Sequence, residues 1–297
     1  MEQYADIKQG EKGAWVSIVA YLFLSSVKLI IGYLFFSEAL TADGLNNTTD
    51  IIASIAVLIG LKLSQKPPDK EHPYGHFRSE TIAALFASFV MAVIGLEVLK
   101  GAFLTLFEPD KRAPDLMAGW VALGCALVMY FVYQYNFRLA KRIKNQALMA
   151  AAKDNLSDAF VSIGAFVGIL GAQFHMPWLD PLAAFVVGII IIKTAWEIFS
   201  EAALNLTDGF DDEEKMIHIK ESISKVTGVK VVKDLKVRKH GNHIFLDVII
   251  DVNPHLNVVE SHHITEKIEN ILANEHRVKY AQIHIEPAET EKKTTHI

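Results

Sequence analysis

Apolar residues fill the first two thirds of the chain in long runs that charge rarely interrupts, then give way to short groups with helical or alternating spacing. Six long runs stand out, at residues 14–36, 40–63, 81–107, 117–137, 147–173 and 179–206. Each exceeds the roughly 18 apolar residues needed to cross a hydrocarbon core about 30 Å thick. Backbone amides in lipid must be satisfied within their own segment, so these runs are expected to be helices. Lys62 lies at the end of the second run and Lys66, Lys70 and Arg78 follow it before the third, while Arg138, Lys141, Arg142 and Lys144 lie between the fourth and fifth. On the other side only Lys111 and Arg112 stand out. Basic loops stay in the cytoplasm, which puts both termini there and the chain in the cell membrane. Residues 1–13 are polar and lack the short apolar core of a cleaved signal peptide.

From Asp208 onward the spacing becomes that of a soluble domain. Residues 211–226 read as an amphipathic helix with an acidic first turn, which suits the helix dipole. Residues 231–239 and 243–252 read as strands around a His240-Gly241-Asn242 turn. Residues 257–275 place Ile264, Ile268, Ile271 and Leu272 on one helical face, and residues 280–286 alternate as a last strand. The expected architecture is an α-helical membrane protein: six transmembrane helices in residues 1–207, then an αββαβ domain of α+β class in residues 208–297. A segment of about ninety residues can hold a modest core of its own.

Composition narrows the function classes. The chain is 51% hydrophobic and 21% charged, high in apolar content for a soluble protein of this size. A net charge of −5 and a pI near 6.2 argue against a nucleic-acid partner. The single cysteine, Cys125, sits in an apolar run, so neither a disulfide framework nor a cysteine-based metal site is expected.

The chemistry concentrates in carboxylates within the apolar runs. Asp43, Asn46 and Asp50 share one helical face of the second run, and Asp154 and Asp158 are four apart in the fifth. A charge at mid-bilayer costs about 2.5–3.5 kcal/mol on insertion scales, so such groups normally face the bundle interior and mark ion pathways. Pairing with basic residues is the competing explanation. Lys100 and Lys193 are the bases considered, and each has a nearer acid in Glu97 or Glu197. Two polar pairs on two spans can converge into a four-ligand site of Asn46, Asp50, Asp154 and Asp158. These offer only oxygen, which suits Mg2+, Ca2+ and Mn2+, whereas imidazole and thiolate favour Zn2+ and its neighbours.

With these features the chain resembles the cation diffusion facilitator family over essentially its whole length. Ala42-Asp43-Gly44 runs into Asn46 and Asp50, Asp154-Asn155-Leu156-Ser157-Asp158 stands in the fifth span, and His72-Pro73-Tyr74-Gly75-His76 follows the second. The resemblance implies proton-driven metal export by a homodimer in a lipid bilayer. Zinc carriers of the family commonly have His or Asp at the first ligand positions of spans two and five. Asn46 and Asp154 here are similar to the manganese-exporting branch. Asp69, His72 and His76 match the family's second metal site, and a D-x2-H-x3-H spacing can place three ligands on one ion with a structural or regulatory role. His262 matches a ligand position of the family's C-terminal domain, and His284 and Glu286 alternate onto one face of the last strand, opposite Ile283 and Ile285. The fuller binuclear pattern has histidines where this chain has Lys233 and Ile249. His240 and His243 flank the hairpin as solvated turn histidines. Arg78 and Asp208 match a basic–acidic pair of the family.

The expected function is therefore export of a divalent cation, Mn2+ first, in exchange for protons. A zinc, iron or cobalt exporter and a membrane metal sensor are the alternatives. An enzyme is not expected: a metalloenzyme would need an open metal position with a general base nearby, and no H-E-x-x-H motif is present. No true cofactor is expected, only the transported metal and a structural or regulatory divalent ion.

Overall fold

The computed structural model describes residues 2–107, 113–143, 146–241 and 243–288. The sequence readings on Lys111, Arg112, Lys144 and Asn242 lie outside the described residues. The chain divides into two compact units, Met1–Leu58 with Phe86–Phe199 and Ile59–Leu85 with Ser200–Ile297.

Six long helices come first: α1 (Glu2–Leu34), α2 (Glu38–Ser64), α3 (Ser79–Leu106), α4 (Leu116–Ile143), α5 (Gln146–Gln173) and α6 (Leu179–Leu206). All but α2 contain a segment long and apolar enough to cross a membrane. At 27 residues α2 is about as long as the others, and its hydropathy is lowered by Asp43, Asn46, Asn47, Asp50 and Lys62. It is the sixth span. The helix α1 starts at Glu2, twelve residues ahead of the apolar run that begins at 14. Its leading Glu, Gln, Ala and Lys residues have high helix propensity, so the helix outlasts the apolar pattern. The helix α4 likewise runs on to Ile143 through Lys141 and Arg142, cations that complement the dipole at a helix C-terminus.

In the first unit the usual inside and outside are exchanged. Phe23, Phe89, Trp120, Phe131 and Trp196 are exposed, while Ser17, Lys28, Asp43, Asn47, Asn136, Asn155 and Ser162 are buried. This is what a bundle solvated by hydrocarbon requires, since polar groups there must find partners inside the protein. The start of α2 shows the same logic. Ser37 Oγ accepts from the Leu40 amide at 3.1 Å, and Asp180 accepts from Ser37 Oγ at 2.7 Å and the Glu38 amide at 2.9 Å. These acceptors satisfy N–H groups that a helix N-terminus leaves free. Gly44 sets how near α1 comes to α2: a Cβ there would lie 3.0 Å from Leu29 Cγ and 3.1 Å from the Leu29 backbone nitrogen. A larger residue would push apart two helices that carry buried polar groups, among them Lys28 and Asp43.

In the second unit, α7 (Glu213–Ser224), β1 (Val231–His240), β2 (His243–Val252), α8 (Val258–Glu275) and β3 (Val278–Pro287) follow in the αββαβ order expected. The sheet order is β1-β2-β3, with β1 antiparallel and β3 parallel to β2. Asp212 caps α7 by accepting from the Lys215 amide. Asn257 and Glu260 form a reciprocal capping box on α8, which fixes that helix's first turn. Ile219, Ile223, Ile264, Ile268 and Leu272 pack on Val232, Val237, Leu246, Val248 and Ile250. Both helices therefore cover one face of the sheet. His240 is a correction to the hairpin reading. It is the last residue of β1, paired with His243, buried and stacked on Phe245 at 4.3 Å.

Candidate functional site

Buried polar contacts of the first unit converge on α1, α2 and α5. The Asn46 amide donates to Asp158 Oδ1 at 3.1 Å, joining α2 to α5 directly. The Tyr21 hydroxyl lies 2.6 Å from Asp158 Oδ2 and 3.0 Å from Asn155 Oδ1. A phenol has a single proton, and the shorter bond, to the carboxylate, takes it. Asp50 Oδ2 is buried with no hydrogen-bond partner. Asp154 is exposed, one turn before the buried Asp158. Asp50, Asp154 and Asp158 are not closed on a common point: among the described residues, only Asp69, His72 and His76 bring three His, Cys, Asp or Glu ligand atoms within 4.8 Å of one another. What stands together is Asn46 with Asp158, and beside them an unpartnered buried carboxylate oxygen.

Asp43 departs from the sequence reading. The spacing points to Lys100 and Lys193 as bases, and Lys193 does sit 3.5 Å from Glu197. The partner of Asp43 is Lys28 of the first span, at 2.9 Å with both side chains fully buried. Sequence spacing within one helix cannot show this, because the partners lie on different spans. A signal was nevertheless present. Ser17, Tyr21, Ser25 and Lys28 follow at intervals of four, four and three in a mostly apolar run, a polar stripe on one helical face. Each residue of that stripe has a buried or half-buried partner: Ser17 Oγ accepts from Asn136 and Asn155, and Ser25 Oγ meets Thr48 Oγ1 at 2.7 Å.

The second unit holds the other candidate residues. Asp69 Oδ1 accepts from the His72 amide at 2.7 Å and the Glu71 amide at 3.0 Å, and it lies 3.2 Å from His72 Nδ1. His76 Nε2 is 3.4 Å from Asp69 Oδ2. The His72 amide is the main reason the Asp69 carboxyl is held below its usual range, with the His72 ring and the Glu71 amide assisting. The donor set of one carboxylate and two imidazoles fits a divalent transition metal. A left-handed Gly75, φ 87°, makes the turn that brings His76 back to Asp69.

His262, His284 and Glu286 are not brought together. Ile283 and Ile285 face the helices, so His284 and Glu286 point from the opposite side of the sheet, whereas His262 lies exposed on α8, 3.6 Å from Glu266. Glu286 is held by Lys233 at 2.7 Å, and this bond and charge keep its carboxyl below the usual range. His284 is 3.8 Å from Glu286. Lys233, where the family's fuller pattern has a histidine, thus supplies the positive charge itself. Arg78 does bond Asp208, and it also meets His240 Nε2 at 3.0 Å and the Leu206 carbonyl at 3.5 Å. Burial, followed by the charges of Arg78 and Arg238, lowers the pKa of His240, so Nε2 is the acceptor of that bond.

Two sequence patterns cover the chain. The cation efflux transmembrane domain matches residues 14–207, and the cytoplasmic domain of cation efflux proteins matches residues 193–288. The chain belongs to the cation efflux family. As a member of this family it is a multi-pass membrane transporter and not an enzyme. It is 57% identical over 289 residues to the manganese efflux system protein MneS of Bacillus subtilis strain 168, covering 97% of this chain and 99% of that one. It is 50% identical over 287 residues to the uncharacterized transporter YdbO of the same strain, again covering 97% and 99%. The manganese efflux system protein MneP of that strain is 28% identical over 284 residues, covering 93% of this chain and 95% of that one.

Proposed function

We propose that this cation efflux protein exports Mn2+ through Asn46, Asp50, Asp154 and Asp158, with protons moving the other way. The observation that carries the reading is the direct Asn46–Asp158 contact between α2 and α5 beside the buried, unpartnered Asp50 oxygen. All four side chains offer oxygen and none offers imidazole or thiolate, a donor set that favours a hard ion over Zn2+. Similarity to MneS and MneP, both manganese efflux proteins by name, supports the same ion. Asp154, exposed in this state, is the ligand that has to swing in to complete the site. A carboxylate that binds the ion facing one side can bind a proton facing the other, and either cation reduces the cost of carrying charge through a low-dielectric region.

The same reading makes residues 1–207 the transport module and residues 208–297 a cytoplasmic module that joins two protomers, with both termini on the cytoplasmic side of the cell membrane. Asp69, His72 and His76 then hold a structural or regulatory metal rather than the transported one. His284 and Glu286 are left to a metal shared with another element or with the second protomer. The test is uptake of Mn2+, Zn2+, Fe2+ and Co2+ into vesicles carrying the purified chain under an imposed pH gradient. Mn2+ should be taken up fastest, and collapse of the gradient should stop it. Faster Zn2+, Fe2+ or Co2+ uptake would move the assignment to that metal, and binding of metal without flux would make the protein a sensor.

A further inference from the structure

Lys28 lies fully buried within a membrane span. Its Nζ donates to Asp43 Oδ1 at 2.9 Å, Asn47 Oδ1 at 2.6 Å and Ser162 Oγ at 2.9 Å. An ammonium has three donors and no acceptor, so this set satisfies it completely. The oxygens are not satisfied in return, since Asp43 Oδ2 is buried and has no hydrogen-bond partner. A carboxylate, an amide oxygen and a hydroxyl from α2 and α5 thus converge on one positive charge. That is the donor chemistry of a site for a hard cation, and here the cation is covalently tethered to α1.

Its place along the bundle gives this cluster a meaning. Asp43 precedes Asn46 by three positions on α2, and Ser162 follows Asp158 by four on α5. Lys28 touches both, so the two displacements run to the same end of the bundle, about 5 Å from the Asn46–Asp158 contact. Stability alone is a weak reason to keep such a pair, because a buried ion pair is often no better than well-packed apolar residues. Ionisable groups inside a membrane protein mark the path of an ion.

We propose that Asp43, Asn47 and Ser162 form a second cation station one helical turn from the Asn46–Asp158 contact, and that the Lys28 ammonium fills it and keeps a divalent ion out. A metal ion at Asn46 and Asp158 then meets a fixed positive charge and occupied oxygens on this side. The path holds one divalent ion instead of two, and Lys28 has to leave Asp43 for that side to accept one. What the neighbouring residues carry rests on the function proposed above; the station itself does not.

The experiment measures Mn2+ bound per protomer by the purified full-length chain after equilibrium dialysis, with folding followed by size-exclusion chromatography and thermal melting. Lys28→Met keeps the bulk and removes the charge. It should gain about one Mn2+ per protomer relative to the unaltered chain, because the freed oxygens are those of a divalent-cation site. The double variant Lys28→Met with Asp43→Asn should return to the unaltered stoichiometry. A Lys28→Met chain that folds only when Mn2+ is supplied would support the proposal as well. An unchanged stoichiometry in folded Lys28→Met would overturn it. So would a Lys28→Met chain that stays unfolded at saturating Mn2+ while the double variant folds. Failure of the function proposed above shows separately, as Asp50→Ala leaving the bound Mn2+ of the otherwise unaltered chain intact.

Discussion

Asp50→Ala should reduce Mn2+ flux by about 100-fold or more, since loss of a direct ligand exceeds the 10–100-fold that removal of an outer-shell partner typically costs. The expectation rests on what Asp50 does not do. Its Oδ2 is buried without a hydrogen-bond partner, so truncation there breaks no bond of that oxygen. The variant should therefore fold while losing transport. Asp158→Ala is a less clean probe, because it also breaks the bonds from Tyr21 and Asn46. Flux into proteoliposomes at matched protein, beside a thermal melt, makes the comparison. Flux near that of the unaltered chain would remove Asp50 from the ion's path.

The second large effect is on selectivity. Replacing Asn46 and Asp154 with histidine puts imidazole into a site built only of oxygen donors, which should turn preference toward Zn2+. There is room for one of the two rings, since Asp154 is exposed. At position 46 the cost is the amide donated to Asp158, which a protonated ring nitrogen can replace. A rise of about tenfold in the Zn2+/Mn2+ uptake ratio is expected, equivalent to about 1.4 kcal/mol of differential binding. A double variant that still transports with an unchanged ratio would show that something other than ligand type selects the ion.

The sequence was most legible where each segment carries its own pattern. The alternation of Ile283 and Ile285 against His284 and Glu286 names both faces of β3, and the caps Asp212 and Asn257 sit at the edges of the helical periodicity. The same alternation already separates His284 from His262, because a helix packed on the isoleucine face cannot reach the histidine face of the strand. The polar pairs of the first unit were less legible. Lys28 with Ser162 and Tyr21 with Asp158 are 134 and 137 residues apart, and only the packing of α1 against α5 joins them. Asn46, Asp50, Asp154 and Asp158 could be chosen by residue type and helical face. That Asp154 stands exposed while Asp158 is bonded depends on how α5 is rotated in this state, which one-turn spacing does not determine. His240 was hidden for a related reason: Arg78, its partner, is 162 positions away.

The central claim is that the ion sits among Asn46, Asp50, Asp154 and Asp158. Anomalous scattering at the manganese edge, from crystals of the Mn2+-loaded chain, tests it most directly. A peak is expected within coordinating distance of Asp50 and Asp158, absent from crystals of Asp50→Ala prepared in the same way. Manganese bound only at the Asp69, His72 and His76 loop or on the β3 face, with none between α2 and α5, would contradict it.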